Sequence, residues 1–555
     1  MSRFTGASFA RRGSCGRPMS IVLGCALWLV AISPSWAQVY TDLHDFDCAV
    51  EGCSPQYPDV LAQGRDGNLY GTTDAGGTSG MGTVFKMTPT GVFTTIYNFS
   101  GLDGRNPDGG LILGTDGNFY GTTRFGGASN LGTVFKITPA GVLTTLHSFN
   151  GTDGSEPRPG LVQGKNGSFY GTNCGFNPPW TAYSITSSGK FKTINSTNDV
   201  RIAACSFGPL ALGNDGNLYG TTTAGGVTEQ GTVFRMTPAG AMKTIFAGDF
   251  ANGTNLVGPV TQGNDGFLYG TASANGSGGS GVVFKLSTGG KFTKLHEFGL
   301  DLNNDGMYPD AGLVAASDGK FYGATTAGKS DGNVPNGNLF SVSSSGSYNL
   351  LYAFDGIHGY LEQATPMQHT NGKIYGLTVG SAPPNKTGGV IYSLDNGAPP
   401  FVRLVTRWGS AGQTVEILGQ GFTGTTSVEF GSGSAIFNVV SDTYMTAVVP
   451  ADGATGFVTV TTSSGTLSSN RTFFVVPKIN HFAPGSGSVG SQVTISGTGL
   501  TGASLVKFGG VKATSYTVNS GTTITATVPV GAKTGKISVK TAGGTASSKG
   551  TFTVM

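Results

Sequence analysis

Residues 66–73 read DGNLYGTT, and the phrase returns as DGNFYGTT (116–123), NGSFYGTN (166–173), DGNLYGTT (215–222), DGFLYGTA (265–272), DGKFYGAT (318–325) and NGKIYGLT (371–378). Its tyrosines, Tyr70, Tyr120, Tyr170, Tyr219, Tyr269, Tyr322 and Tyr375, are 50, 50, 49, 50, 53 and 53 residues apart. A fixed period of this length marks a repeat architecture whose units are single supersecondary elements. One unit reads as four short strands. GLILG (110–114) leads into Asp116-Gly117, which suits a two-residue hairpin because both residues tolerate positive φ. NFYGTT (118–123) and a glycine-rich loop follow. GTVFKIT (132–138) then runs into Pro139-Ala140-Gly141, where proline presets the turn, and LTTLHSF (143–149) closes the unit. Four antiparallel strands every ~50 residues are the pattern of a β-propeller blade.

The two ends of the array complement each other. It opens with VYTDLHDF (39–46), which matches a fourth strand, and finishes with GGVIYSL (388–394), a third strand. The N-terminus therefore supplies the missing strand of blade seven and removes the open edges of the ring. An open solenoid would have no use for such ends. Composition agrees: 93 Gly and 25 Pro in 555 residues, with 11% charged, exclude long amphipathic helices, while 38% hydrophobic and 10% aromatic residues suffice for packed cores.

The repeat unit GxDGNxYGTTxxGGxxxxGTVFKxTPxG resembles the bacterial GloVer tandem-repeat family of exported "choice-of-anchor" proteins over residues 39 to about 398. The resemblance implies export and a repeat fold, attaches no reaction, and implies a C-terminal anchoring device; the closing GTFTVM offers no apolar tail or sorting motif for one. Residues 477–555, with GSVGSQVTISGTGLTGASLVKFGG, are similar to an IPT/TIG domain, and 399–476 repeat the order with GSAGQTVEILGQGFTG, SVEFG and TFFVV. Both are expected to be immunoglobulin-like sandwiches, since Ile537 and Val539 alternate with Lys536, Ser538 and Lys540 at the period of a half-buried strand. PPFVRLVTRW departs from the usual opening and leaves the first strand of the first copy open. The expected fold is all-β: a seven-bladed β-propeller (38–398) followed by two immunoglobulin-like β-sandwich domains (399–476 and 477–555).

Residues 1–37 read as a secretory signal, with Arg3, Arg11, Arg12 and Arg17 before the apolar run Ile21–Ile32 and Ser35-Trp36-Ala37 at the cleavage site. No later apolar run reaches the ~20 residues of a membrane span. After its removal, residues 38–398 carry 19 basic and 26 acidic side chains, 399–476 three and four, and 477–555 seven lysines and no acid. Four cysteines remain, an even number that favours disulfides in an exported chain, with Cys48 to Cys53 and Cys174 to Cys205 the expected pairs.

The repeated tyrosines offer a stacking platform, but their shared place in the second strand favours packing between blades. His44, His147 and His296 share an outer-strand position on three blades, too far apart for one metal. In DLNNDGMYPD (301–310), Asp301, Asn303 and Asp305 alternate before Gly306 as in the first half of a calcium loop, although Gly312 holds the position of its closing Glu and Asp305-Gly306 aligns with the turns Asp103-Gly104 and Asp153-Gly154. Calcium is the one cofactor candidate; no catalytic residue is assigned. Lys507, Lys512, Lys533, Lys536 and Lys540 are candidates for polyanion binding.

The expected function is that of a secreted, non-enzymatic binding or adhesion protein at the cell surface, a monomer whose propeller presents loops and whose sandwiches act as spacer and attachment. Its partners would be an anionic envelope polysaccharide or another surface protein, not nucleic acid, which does not suit an exported chain. The alternative is a propeller lyase or glycosidase acting on polysaccharide, which needs converging acid, base or arginine side chains on one face.

Overall fold

Each repeat folds as a four-stranded antiparallel sheet because its hydrophobic stretches are short and each is cut by a glycine turn. The computed structural model describes residues 38–53, 61–174, 180–197, 205, 207–301, 305–328, 336–360, 363–380 and 388–555. The leader read at 1–37 lies outside them. In blade two the strands are Ile112–Leu113, Phe119–Thr123, Thr133–Ile137 and Leu143–Ser148, paired in that order. The second strand is wholly buried and the fourth half-exposed, so the sheet runs from the ring interior to its rim.

The turn after the first strand differs from the expected two-residue hairpin. Gly114 N–H donates to Asn118 O (2.8 Å) and Gly117 N–H to Gly114 O (2.9 Å), which makes a three-residue loop with Gly117 at φ +81°. This is the type I turn plus bulge geometry in which only the last residue needs positive φ. The aspartate is thereby released for a second task. Tyr120 donates its hydroxyl to Asp116 (2.6 Å), as Tyr70 does to Asp66 (2.9 Å), Tyr219 to Asp215 (2.8 Å), Tyr269 to Asp265 (2.6 Å) and Tyr322 to Asp318 (2.7 Å). Where Asn replaces Asp, at Asn166 and Asn371, the amide donates to Tyr170 and Tyr375 instead. The tyrosine rings fill the spaces between blades: Tyr70 stacks on Phe119 at 4.1 Å, Tyr120 on Phe169 at 3.9 Å and Tyr269 on Phe321 at 3.8 Å.

Seven such sheets form the array. The last is completed by the N-terminal strand Val39–Asp45, antiparallel to Val390–Asp395 and followed inward by Ile374–Leu377 and Met367–Gln368. First-strand residues of all seven blades surround one axial cavity, which closes the ring. Glutamines pin neighbouring blades at the inner edge. Gln163, Gln262 and Gln368 accept from the turn amides of Thr115, Asn214 and Ser317 in the preceding blade, and Gln63 accepts from Thr370 of blade seven.

Two sandwiches follow. In the first, the sheet of Arg403–Leu404, Thr414–Leu418, Tyr444–Val448 and Phe437–Ser441 packs on that of Gly433–Ser434, Ser427–Phe430, Val458–Thr462 and Gly465–Ser468 around Val415, Ile417, Phe430 and Phe473. The atypical opening yields only the short strand Arg403–Leu404, where the second sandwich has Lys478–Ala483. No α-helix occurs among the described residues.

Candidate functional site

The hairpin turns of the blades lie on one face of the ring, and the first sandwich sits against that face. Thr443 donates to Arg65 O (2.8 Å), Gln420 to Thr370 Oγ1 (2.9 Å), Phe401 N–H to Thr370 O (3.0 Å) and Asn264 to Asn470 O (2.9 Å). Arg65 pairs with Glu416 and lies over the Tyr444 ring. Arg407 donates to Asn214 Oδ1 (3.1 Å) and Leu212 O (3.2 Å). The loops joining second to third strands, and each blade to the next, occupy the opposite face.

The axial cavity has a volume of about 870 Å³. Its walls are the first strands of the blades, and the first sandwich contributes Arg403, Arg407, Trp408, Glu416 and Arg471. Burial, with repulsion from Arg471, pushes the Arg407 guanidinium down to about 9; burial, with repulsion from Arg403, pushes Arg471 down to about 10. Both stay charged at neutral pH. Lys165 stands 4.4 Å from the centre of the Trp408 ring, and Arg407 stacks on the same ring at 4.8 Å. Trp408 is 7% exposed and its indole N–H has no acceptor. Sequence reading missed this cluster: the three arginines are separated by up to 68 positions in a segment whose net charge is −1.

A second group missed in the sequence lies on the loop face. Asp108 is 3% exposed, and burial together with the neighbouring Asp74 carboxylate raises its carboxyl well above the usual range. Arg124 and Arg158, both bonded to Glu156, offset part of that rise.

The predicted residues fare unequally. Cys174 and Cys205 form a disulfide between loops of neighbouring blades. The other expected pair, Cys48 and Cys53, lies just after the N-terminal strand Val39–Asp45. Cys53 pairs its main chain with Ala75, whereas Cys48 belongs to the turn stapled by Asp47 and Glu51. In the calcium motif, Asn303 lies outside the described residues. The Asp305 carboxylate is 4% exposed, bonds His296 and accepts weakly from the Asp301 amide (3.5 Å). It does what Asp153 does for His147 (2.9 Å). Among the described residues no three His, Cys, Asp or Glu side chains cluster to hold a metal. The histidines pack between blades as half-exposed strand residues: His44 stacks on Phe93 (4.1 Å), His147 on Phe191 (3.7 Å) and His296 on Tyr348 (4.0 Å).

In the second sandwich, Lys507 is paired in register with both Lys512 and Ser538, and Lys536 and Lys540 flank Ser538 two residues away on either side. Val506, Phe508, Ile537 and Val539 point the other way, into the core. Four lysines thus share one sheet face, and Lys533 is exposed in the loop before it.

Ring and sandwiches define a seven-bladed β-propeller joined to two immunoglobulin-like domains. The Gloeobacter/Verrucomicrobia repeat matches residues 29–177 and 173–391, and the IPT/TIG domain matches 400–476 and 477–554. The chain belongs to the Gloeobacter/Verrucomicrobia repeat family and carries two IPT/TIG domains. No curated protein matches it. Among solved structures it is similar to a fungal alcohol oxidase in complex with copper (14% identity, 75% of this chain and 98% of that one, TM-score 0.44). A gluconolactonase from Xanthomonas campestris (12% identity, 65% and 98%, TM-score 0.31) and the protein SGBP-B from a xyloglucan utilization locus of Bacteroides uniformis (21% identity, 27% and 48%, TM-score 0.16) also match. At these scores none bears on what this chain binds. No described helix is long and apolar enough to cross a membrane.

Proposed function

We propose that this protein is exported and works without catalysis as a binding protein of the cell surface, its propeller displaying a loop face and its second sandwich attaching the whole to an anionic envelope polymer. The observation that carries this reading is the lysine face. Lys507 and Lys512 oppose each other across two strands, a like-charge pairing that destabilises a sheet, in a domain with no acid to offset it. A polyanion laid on this face supplies the missing charge. The propeller's first sandwich is held at the turn face, which leaves the loop face for a ligand such as a neutral glycan.

Attachment of this kind weakens with salt, because exposed charges are screened over ~8 Å at physiological ionic strength. Cell fractionation at rising salt, comparing the intact protein with one truncated after Val476 and with a Lys507, Lys512, Lys536 and Lys540 to Gln variant, tests it. Salt-labile retention confined to the intact protein is expected. Identical partitioning of all three sinks the proposal.

One observation favours the polysaccharide-acting enzyme instead: the buried Asp108 next to Asp74 and near Arg124 and Arg158, whose carboxyl has the raised affinity for a proton that a general acid needs. Asp108→Asn leaves glycan binding intact on the binding reading and abolishes turnover on the enzymatic one.

A further inference from the structure

The first sandwich has three basic residues, Arg403, Arg407 and Arg471, and all three line the axial cavity. Of its four acids only Glu416 does so, and Glu416 is paired with Arg65. The remaining acids lie elsewhere: Asp442 caps the amides of Gly421 and Thr423, and Glu429 and Asp452 are not part of the lining. Charge is therefore sorted, not merely present. Chance scatter of three arginines over a sandwich surface would leave some facing solvent outside the ring.

We propose that the axial chamber is a binding site for an oxyanion, held by the guanidinium groups of Arg403, Arg407 and Arg471 with Lys165 and the Trp408 N–H as further donors. Arginine suits this task because its planar fork matches carboxylate, sulfate and phosphate oxygens two at a time. The surroundings strengthen each contact. Leu161, Leu210, Val260 and Met367 bring apolar surface to the walls, and the amides of Gln63, Gln163 and Gln262 are spent on pinning the blades. In such a medium an ionic hydrogen bond gains more than in water. Burial is the main cause that lowers Arg407 and Arg471, and the repulsion that adds to it, from Arg471 and Arg403 respectively, is relieved when a negative group enters among them. The Trp408 N–H, buried without an acceptor, would gain one. A volume of about 870 Å³ equals the share of roughly thirty water molecules, so the chamber accepts either a free inorganic ion or an acidic group borne on a sugar. This inference stands apart from the lysine face, which is in the other sandwich.

The test uses the mature chain, residues 38–555, with Trp180→Phe so that Trp408 is the single tryptophan reporter. Its fluorescence and melting temperature are followed during titration with sulfate, phosphate, free glucuronate and an oligouronate, each against sodium chloride at matched ionic strength. A saturable change with sulfate or phosphate assigns the site to a free ion; one with the uronates alone assigns it to an acidic glycan. In either case Arg471→Gln weakens binding at least tenfold and Arg471→Lys weakens it less, while the four-lysine variant of the second sandwich binds as the parent does. The proposal is overturned if no anion exceeds chloride, a result that needs no variant to fold, or if folded Arg471→Gln binds with unchanged affinity. Loss of envelope retention in the four-lysine variant with an intact chamber titration separates the two readings.

Discussion

Phe46→Ala tests whether the N-terminal strand locks the ring. Phe46 has no exposed surface and meets Phe85 and Phe93 edge-on at 5.5 and 5.6 Å. Its cluster joins Leu69 and Met87 of blade one to Met367, Tyr375 and Ile391 of blade seven, so one side chain spans the seam. Truncating a buried Phe to Ala costs about 3–5 kcal/mol in lost transfer energy and cavity formation. For a ring of roughly 360 residues, at about 2.1 cal/mol/K of unfolding entropy per residue, that corresponds to a melting temperature lowered by about 4–7 °C. Phe135→Ala, equally buried inside blade two, is the matched control. It is expected to melt similarly low but to leave the seam closed. Scanning calorimetry measures the first effect, and hydrogen exchange of Val390–Asp395 measures the second, since alternate amides of that strand face the N-terminal strand. Exchange there should accelerate in Phe46→Ala alone, and deletion of residues 39–47 should accelerate it further and lower the melt more. If the deletion melts with the intact protein, or Phe46→Ala leaves both observables unchanged, the terminus does not close the ring.

Acid should loosen the seam between blades seven and one through His369, which is 1% exposed. Its Nε2–H donates to Gly67 O (2.9 Å) and its Nδ1 accepts from the Asn371 amide (3.1 Å), so the ring is neutral, and burial holds it down to about 4. The unfolded imidazole, near 6.5, binds the proton first; stability is full above 6.5 and falls as pH drops toward 4, by up to about 3 kcal/mol. Urea melts across that range should show the slope, and a His369→Gln variant with the same slope would refute it. Cys174→Ala with Cys205→Ala should cost about 3–4 kcal/mol by freeing a loop with sequence separation 31; peptide mapping of the unreduced protein that finds Cys174 unlinked would exclude the bridge. Chelation addresses calcium at Asp301, Asn303 and Asp305: because Asp305 is committed to His296, EDTA should leave the melt unmoved, and a chelator-sensitive melt abolished by Asp305→Asn would restore the calcium loop.

Blade number, strand content and closure were all legible in the sequence, because each rests on pairing between neighbours in the chain or between matching ends. A strand pairs with the one before it, and a repeat that recurs seven times leaves little choice about what the pairing is. Even the burial of the seven tyrosines followed from their common register. The aspartate of each turn was read only as a turn former, whereas the fold also makes it the acceptor for the tyrosine four residues on, which requires knowing that the loop has three residues. The arginine cluster was beyond reach altogether. Arg403, Arg407 and Arg471 come from both ends of one sandwich, and they meet only because that sandwich docks on the turn face of a ring built from other residues. Periodicity encodes local contacts; a charge concentrated by docking leaves no period, and only the tertiary structure brings it together.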